Sequence, residues 1–359
     1  MTNIVVIGAG YSGLIAAHRL ARRTTAHVTL VNAAADFVER IRLHQHAAGE
    51  NLRVRPLAES VRGTGIELVI GRVRAIDPAG KEIDVDGRAI GYDTLVYALG
   101  SVADDHGIAG VAENAHTVTG HADATALREV LPASGIVTVV GGGLTAIEAA
   151  TELAEQHPNL HVRMVAGHAP GSRLSAKARK HLGRVFGRLG IEVRTGARVA
   201  KVLADTVVLT DGEELPTDIT VWSTGFRVPE LAREAGVKTD HNGRIVVDGT
   251  QRSVSHPDIY AIGDSAVVRT NGQDLRMACA TAEPMAEYAA KAIAARLAGA
   301  EPKPFGYRYH IQCISLGRKD GLVQRVDALD RPREMVITGR LGALIKEGIV
   351  RGAGWTALR

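Results

Sequence analysis

The chain has 359 residues, more than one hydrophobic core usually holds, so two or three domains are expected. Apolar residues make up 45% and charged residues 23%, the balance of an ordinary soluble globular protein. A net charge of only +4, without a basic–aromatic recognition module, argues against a nucleic-acid partner, and no run of about 18 apolar residues exists to span a membrane.

In chain order, Ile4-Val5-Val6-Ile7 runs straight into Gly8-Ala9-Gly10-Tyr11-Ser12-Gly13 and then an amphipathic segment from Leu14 to Arg23. A branched apolar strand, a Gly-x-Gly-x-x-Gly turn and a helix make a dinucleotide-binding unit. Gly8 allows the turn, Gly10 lets a pyrophosphate approach the backbone, and Gly13 lets the helix pack on the strand. The diphosphate sits on free N–H groups at the positive end of the helix. Ala26 to Val31 is the next strand. The position that normally carries an acid for the adenosine ribose falls on Asn32, a weaker partner, with Asp36 just beyond. Arg40, Arg42, His44 and Gln45 then fall close together. They form either a solvated helix face or a cationic group beside a redox cofactor.

From Ile66 the pattern shifts to short alternating runs, Ile66–Val73, Lys81–Val85 and Arg88–Tyr92, with a hairpin signal at Asp86-Gly87. This predicts a small antiparallel excursion that returns through a buried strand ending at Gly100-Ser101. Ile136 to Glu148 repeats the opening unit: a branched strand, Gly141-Gly142-Gly143, then a helix to about Gln156, with Ala146 at the third glycine position. The following strand, Leu160–Val165, ends in Ala166-Gly167-His168 with no carboxylate, and Arg173, Lys177, Arg179 and Lys180 follow. An acid there suits a free 2′-hydroxyl and repels a 2′-phosphate, so its absence favours NADPH over NADH, although the basic run also fits a solvated helix. Another strand ends at Thr224-Gly225, and a later one at Gly263-Asp264, before a helical run from Ala280 to Leu297. Pro302 to Gly306 marks a boundary, followed by strands and a terminal segment from Gly339. The only cysteines, Cys279 and Cys313, form no Cys-x-x-Cys pair, which predicts two reduced, buried thiols in a cytosolic protein. The N-terminus enters a strand directly, so no signal peptide is expected.

Two glycine fingerprints, two strands ending in Gly and a late Gly-Asp together resemble the flavoproteins with two dinucleotide-binding domains, the pyridine nucleotide-disulfide oxidoreductase superfamily. Within it the chain looks most like type II NADH dehydrogenases, ferroptosis suppressor protein and apoptosis-inducing-factor-like oxidoreductases. The resemblance implies an α/β fold of two Rossmann-like domains, the NAD(P)-binding one inserted in the FAD-binding one, plus a small α+β C-terminal domain. The corresponding boundaries are 1–112 with 240–300, 113–239, and 301–359.

The same resemblance assigns Gly8, Gly10 and Gly13 to the FAD pyrophosphate and Asn32 to its ribose. Tyr11, Ser12, Ala33, Arg40, Arg42, Gly100 and Ala280 join that pocket, and Gly263-Asp264 forms its second motif, with Asp264 on the ribityl chain. Gly141, Gly143, Leu144, Thr145 and Ala146 would hold the nicotinamide nucleotide, Glu148 would orient the nicotinamide, and Gly225 belongs to the motif linking the domains. Ala146 is a second, weak pointer to NADPH. The family's redox cysteine pair has no counterpart here, nor has the signature of hydroxylating monooxygenases. Where type II dehydrogenases carry an Ala-Gln pattern at the quinone site, this chain has Ala282-Glu283-Pro284-Met285-Ala286-Glu287.

The resulting expectation is an FAD-dependent enzyme that takes hydride from NAD(P)H and reduces a quinone or another small acceptor. Glu283, Arg42, His44 and Glu148 are its candidate catalytic residues, and no metal site is assigned. Glu283 is a proton donor if burial raises its pKa, or otherwise a first-turn helix acid. The alternatives are a flavin-dependent oxidase or tailoring enzyme using Glu283, His44 and His310, a redox-responsive binding protein, and a ferredoxin-type reductase. The tail from Arg340 to Arg359 has roughly amphipathic spacing, interrupted by Gly348, Gly352 and Gly354. It leaves domain packing, a homodimer contact and a peripheral membrane contact open.

Overall fold

The computed structural model describes all residues from Met1 to Arg359. Five parallel strands form the first sheet, in the order Ile259–Ala261, Thr94–Tyr97, Asn3–Ile7, His27–Asn32, Ile66–Ile70. Its central strand is apolar without alternation because both faces are covered, and Ile4, Val5, Val6 and Ile7 are buried. One covering layer is the helix Tyr11–Arg23, which packs on the long helix Cys279–Leu297. Both helices carry small buried residues, among them Ala16, Ala17, Ala286 and Ala290, of the kind that lets helices approach closely.

A second sheet of five parallel strands has the order Glu192–Thr195, Leu160–Ala166, Gly135–Val140, Ile219–Trp222, Ala115–His116. The helix Leu144–Gln156 leaves its central strand through the second glycine turn. The chain returns to the first sheet only at Ile259–Ala261, so the second sheet is inserted within the first unit.

The Ile66–Val73 run divides. Ile66–Ile70 completes the first parallel sheet, while Val73–Asp77 begins the antiparallel excursion with Glu82–Val85 and Arg88–Gly91. The break falls at Gly71-Arg72, where the backbone N–H of Arg72 turns to the Asp86 carboxylate.

The C-terminal part is a three-stranded antiparallel sheet, Ile311–Ser315, Gly321–Val326 and Pro332–Thr338, and one unbroken helix, Gly339–Ala357. Each interior glycine weakens an isolated helix by about 1 kcal/mol relative to alanine, so tertiary packing holds this one. Gly342 lies against the carbonyl of Gly321, where an added Cβ would stand 2.3 Å from oxygen. Val350, Ala353, Gly354 and Ala357 are buried on its inner face. Ala353 and Ala357 join the core of the first sheet, while Ile314, Leu316 and Leu322 join that of the second. The C-terminal segment thus seams the two cores together.

Candidate functional site

Both glycine turns open into one cavity of about 1500 Å³. A single-ligand pocket is typically about 300–1,000 Å³, so this space suits two nucleotides better than one. Its roof combines the start of the helix Cys279–Leu297, the strand Ile311–Ser315 and the inner face of the C-terminal helix.

The first turn leaves room for an anion the size of a diphosphate. Gly8 has φ +94°, and an added Cβ would stand 2.5 Å from the Ala98 carbonyl oxygen. A Cβ on Gly13 would be 1.8 Å from the Gly8 oxygen, whereas one on Gly10 would meet only open space. The helix that follows has no side-chain cap and no acid in its first turn, so its free N–H groups and positive end remain for an anion. The second turn repeats the design: Gly141 has φ +135°, with an added Cβ 2.2 Å from the Ser223 oxygen, and its helix also lacks a cap and a first-turn acid. Ala146 is fully buried behind this turn.

Most of the expected cofactor residues line the cavity, including Tyr11, Ser12, Ala33, Arg40, Gly100, Leu144, Thr145, Asp264 and Ala280. Gly13, Ala146, Gly225 and Gly263 stand behind the wall. Asn32 reaches it with both ends of its amide engaged: the Ala9 N–H donates to Oδ1 at 2.8 Å, and Nδ2 donates to the Ala34 oxygen at 2.8 Å. Its visible work is to clamp the first glycine turn. Asp36 is exposed and outside the lining. Asp264 accepts from Ser101 Oγ at 2.7 Å, and Arg40 donates to Ser101 beside the Phe226 ring.

The cationic group that follows the strand His27–Asn32 splits. Arg42 was expected beside the cofactor, but it does not line the cavity. Its guanidinium makes a two-pronged contact with Glu347 at 3.0 and 2.7 Å and meets Glu39 at 3.0 Å, so it anchors the C-terminal helix. Burial works against the charge on Glu347, but Arg42 and Arg351 outweigh it and hold the carboxyl down at about 2. His44 does reach the cavity wall, where burial pushes it down to about 4 and keeps it neutral at pH 7. His310 is exposed and lies outside the lining.

A polar cluster occupies the middle of the wall. Lys346 Nζ lies 3.1 Å from Glu148 Oε1, the Ser315 N–H donates to that oxygen at 2.9 Å, and Ser315 Oγ lies 3.3 Å from His44 Nε2. Burial pushes the Glu148 carboxyl up, but Lys346, His44 and the Ser315 N–H together hold it below its usual value. Burial likewise disfavours the Lys346 charge, and Glu148 more than offsets this. An ammonium and a carboxylate therefore face the cavity beside a neutral imidazole.

The two glutamates of the late helix have different fates. Glu283 lines the cavity and burial raises its pKa. Glu287 points the other way, pairing with Arg19 at 2.6 Å, Arg23 at 2.5 Å and Lys291 at 3.2 Å, and it ties the late helix to the first. The buried Tyr11 hydroxyl has no protein partner. Cys279 and Cys313 are free and half-buried rather than fully buried, and both line the cavity. Burial pushes both thiols up. Of the basic run after the second nucleotide strand, Arg173 alone lines the cavity, and Arg179 donates back to the Leu174 oxygen.

Sequence reasoning missed Lys346, Ser315 and Arg318. Nothing local marks them, because each acts through a partner distant in the chain. Glu152 was also missed, and it did carry a signal: an acid one helical turn after Glu148, on the apolar face of its helix.

Paired parallel sheets that each feed a glycine turn into one shared cavity define a two-nucleotide oxidoreductase fold, in which one dinucleotide meets another. The chain belongs to the pyridine nucleotide-disulphide oxidoreductase family, whose family model matches residues 2–290. An NADH dehydrogenase-like protein of Mycobacterium tuberculosis is 32% identical over 316 residues, covering 80% of this chain and 79% of the relative. A type II NADH:quinone oxidoreductase of Staphylococcus epidermidis is 27% identical over 359 residues, covering 89% and 88%. Among solved structures, NDH2 of Plasmodium falciparum in complex with NADH shares the fold with a TM-score of 0.84 at 15% identity, over 99% of this chain and 96% of that one. The sulfide:quinone oxidoreductase of Aquifex aeolicus does so with a TM-score of 0.82 at 20% identity, over 100% and 92%. The protein is an NAD(P)H-dependent flavoprotein oxidoreductase, with FAD and NAD(P)H as its nucleotides. No helix is long and apolar enough to cross a membrane.

Proposed function

We propose that the chain oxidises NADPH and reduces a quinone-class acceptor at the shared cavity. The observation that carries this reading is the junction itself: two diphosphate-binding turns meet beside a central group made by Glu148, Lys346, Ser315 and His44. When bound, FAD accepts hydride from the nicotinamide and delivers two electrons to the acceptor.

The protein's share is position and field. The N–H groups around Gly10 to Gly13 hold the FAD diphosphate, and Asp264 holds the ribityl hydroxyls. The second turn, from Gly141 to Thr145, holds the nicotinamide nucleotide. Glu148, fixed by Lys346 and Ser315, orients the carboxamide. Glu283, whose hold on its proton burial strengthens, donates to an acceptor oxygen from the start of the late helix. NADPH is supported by Gly167-His168 at the end of the nucleotide strand, where no carboxylate stands, and by Arg173 on the same cavity wall. The relatives' names specify NADH, which makes the donor the first thing to measure.

A peripheral membrane contact is supported by the outer face of the C-terminal helix. Leu341 is 59% exposed and Leu344 70%, beside exposed Met335 and Ile337. These apolar side chains adjoin Arg340, a pattern suited to an anionic lipid surface.

Anaerobic mixing of the yellow protein with NADPH or NADH tests the reading, followed by addition of a short-chain quinone. Faster bleaching by NADPH and reoxidation by the quinone are expected. Protein that holds no FAD after reconstitution overturns the reading. Faster bleaching by NADH rejects the donor, and a flavin left reduced rejects the acceptor.

A further inference from the structure

We propose that Glu152 is the proton-uptake residue of this site, drawing protons from solvent past Glu50 and passing them along its helix toward Glu148 and Lys346. The proposal rests on the reading that the acceptor is a quinone. The balance is NAD(P)H + H⁺ + quinone → NAD(P)⁺ + quinol. The donor supplies two electrons and one proton as hydride, and the second proton comes from water. Glu283 hands that proton to the acceptor, and the path past Glu152 toward Glu148 and the Lys346 ammonium on the cavity wall replaces it.

Polar groups mark a way from the surface to the helix that carries Glu148. Glu152 is 0% exposed, yet its Oε2 has no hydrogen-bond partner, a costly arrangement for a carboxyl with only a structural role. Its Oε1 meets Gln156 Nε2 at 3.4 Å and Arg318 Nε at 4.0 Å. Arg318 Nε in turn lies 3.5 Å from Glu50 Oε2, an oxygen that is also buried and without a hydrogen-bond partner. The rest of the Glu50 side chain is 40% exposed and opens the route to solvent. Inward, Glu152 stands one helical turn from Glu148, roughly 6 Å between β-carbons by helix geometry, a spacing short enough for one water molecule to link the two carboxyls. Ser315 and His44 extend the chain of polar groups along the cavity wall.

The groups facing Glu152 set its proton affinity. Arg318 comes from the turn after Ile311–Ser315, Glu50 from the segment after Leu43–Ala47, and Gln156 and Glu155 from its own helix. Burial dominates and pushes the carboxyl up to about 7, and Arg318 relieves this only in part. Such a group loads and unloads a proton near neutral pH. Arg318 itself is held by Glu347, 3.6 Å from its Nη2, so it does not neutralise Glu152 alone. Glu152 touches no substrate and acts through Glu148.

The test is Glu152→Gln, which keeps shape and hydrogen bonding but carries no exchangeable charge. Flavin bleaching by NAD(P)H is expected to stay within about twofold of wild type. Quinone turnover is expected to fall about tenfold or more near neutral pH, with an enlarged solvent deuterium isotope effect. Turnover with ferricyanide, which takes electrons and no proton, is expected to be unchanged. Glu50→Gln, at the solvent mouth, is expected to lower quinone turnover in the same direction without touching the core. Independently of turnover, infrared titration of ¹³C-glutamate-labelled protein is expected to show a carboxyl signal titrating near pH 7 that Glu152→Gln lacks. Equal slowing of quinone and ferricyanide reduction, or an unaltered isotope effect and pH profile, overturns the relay. If wild type reduces no quinone, the acceptor reading falls, while the infrared titration still decides whether Glu152 exchanges a proton at neutral pH. Absence of that signal overturns the proposal by itself.

Discussion

Lys346 Nζ and Glu148 Oε1 lie 3.1 Å apart, joining the last helix of the chain to the helix of the second glycine turn. Removing one partner leaves the other charge buried and alone, which typically costs about 3–5 kcal/mol. Lys346→Met is therefore expected to lower the unfolding free energy by about that amount in urea titrations and to slow NAD(P)H oxidation. The double variant Lys346→Met with Glu148→Gln removes both charges and is expected to recover much of the stability. A loss in the double variant equal to the sum of the Lys346→Met and Glu148→Gln losses would show that the pair is not coupled.

Glu283 and Glu287 are one turn apart on the same helix and predict opposite outcomes. Glu287 holds a partly exposed ion-pair group, so Glu287→Gln is expected to cost no more than about 1 kcal/mol and to leave turnover unchanged. Glu283→Gln is expected to slow quinone reduction about tenfold while NAD(P)H still bleaches the flavin. Because burial raises the Glu283 pKa and its protonated form is the donor, wild-type quinone turnover is expected to fall as pH rises through that raised value. This limb should disappear in the variant.

Two buried groups make stability depend on pH in opposite senses. Glu152 is pushed up to about 7, so the folded state holds its proton more tightly than the unfolded state, and stability falls as pH rises from the ordinary glutamate range through 7. His44 is pushed down to about 4, so stability is lost as pH falls from the ordinary histidine range through 4. The wild-type profile is therefore flattened between pH 4.5 and 6.5. Glu152→Gln is expected to unmask the histidine slope and to gain on the order of 3 kcal/mol relative to wild type between acid and pH 8. Urea unfolding across that range, with the variant parallel to wild type, would refute the assignment.

The first glycine turn is tighter than the second at the third fingerprint position. A Cβ on Gly13 would overlap the Gly8 oxygen at 1.8 Å, so Gly13→Ala is expected to yield protein that retains no FAD or does not fold. Ala146→Gly is expected to keep nucleotide binding, because the second turn already accepts a methyl group there. Flavin absorbance after gel filtration and nucleotide titration check the two variants.

Leu344 stands 70% exposed on the outer face of the C-terminal helix. Leu344→Glu is expected to abolish flotation with anionic vesicles and to leave reduction of a water-soluble quinone within about twofold, since the inner face of the helix is untouched. Retained flotation would locate any lipid contact elsewhere.

The parts of the molecule that were legible in the sequence are those whose signals are local. A branched strand, a glycine turn and a helix fit within some twenty residues, so the two glycine turns and the α/β fold follow from the order of residues around Gly8 and Gly141. The absence of an acid after Leu160–Ala166 is likewise a local fact. The Ile66–Val73 run was misdivided because two adjacent strands of like composition join different sheets, and the pairing partner alone distinguishes them.

By itself the sequence determined two strand–glycine turn–helix units and the family they mark, because steric rules for glycine and burial on both strand faces act within short stretches. Only the tertiary structure decided which charged residues face the cavity. It turned Arg42 and Glu287 away from the cavity into ion pairs, brought Lys346 onto Glu148, and set Cys279 and Cys313 in the cavity lining. A buried charge is stable only where an opposite charge meets it, and that partner is supplied by the packing of distant segments.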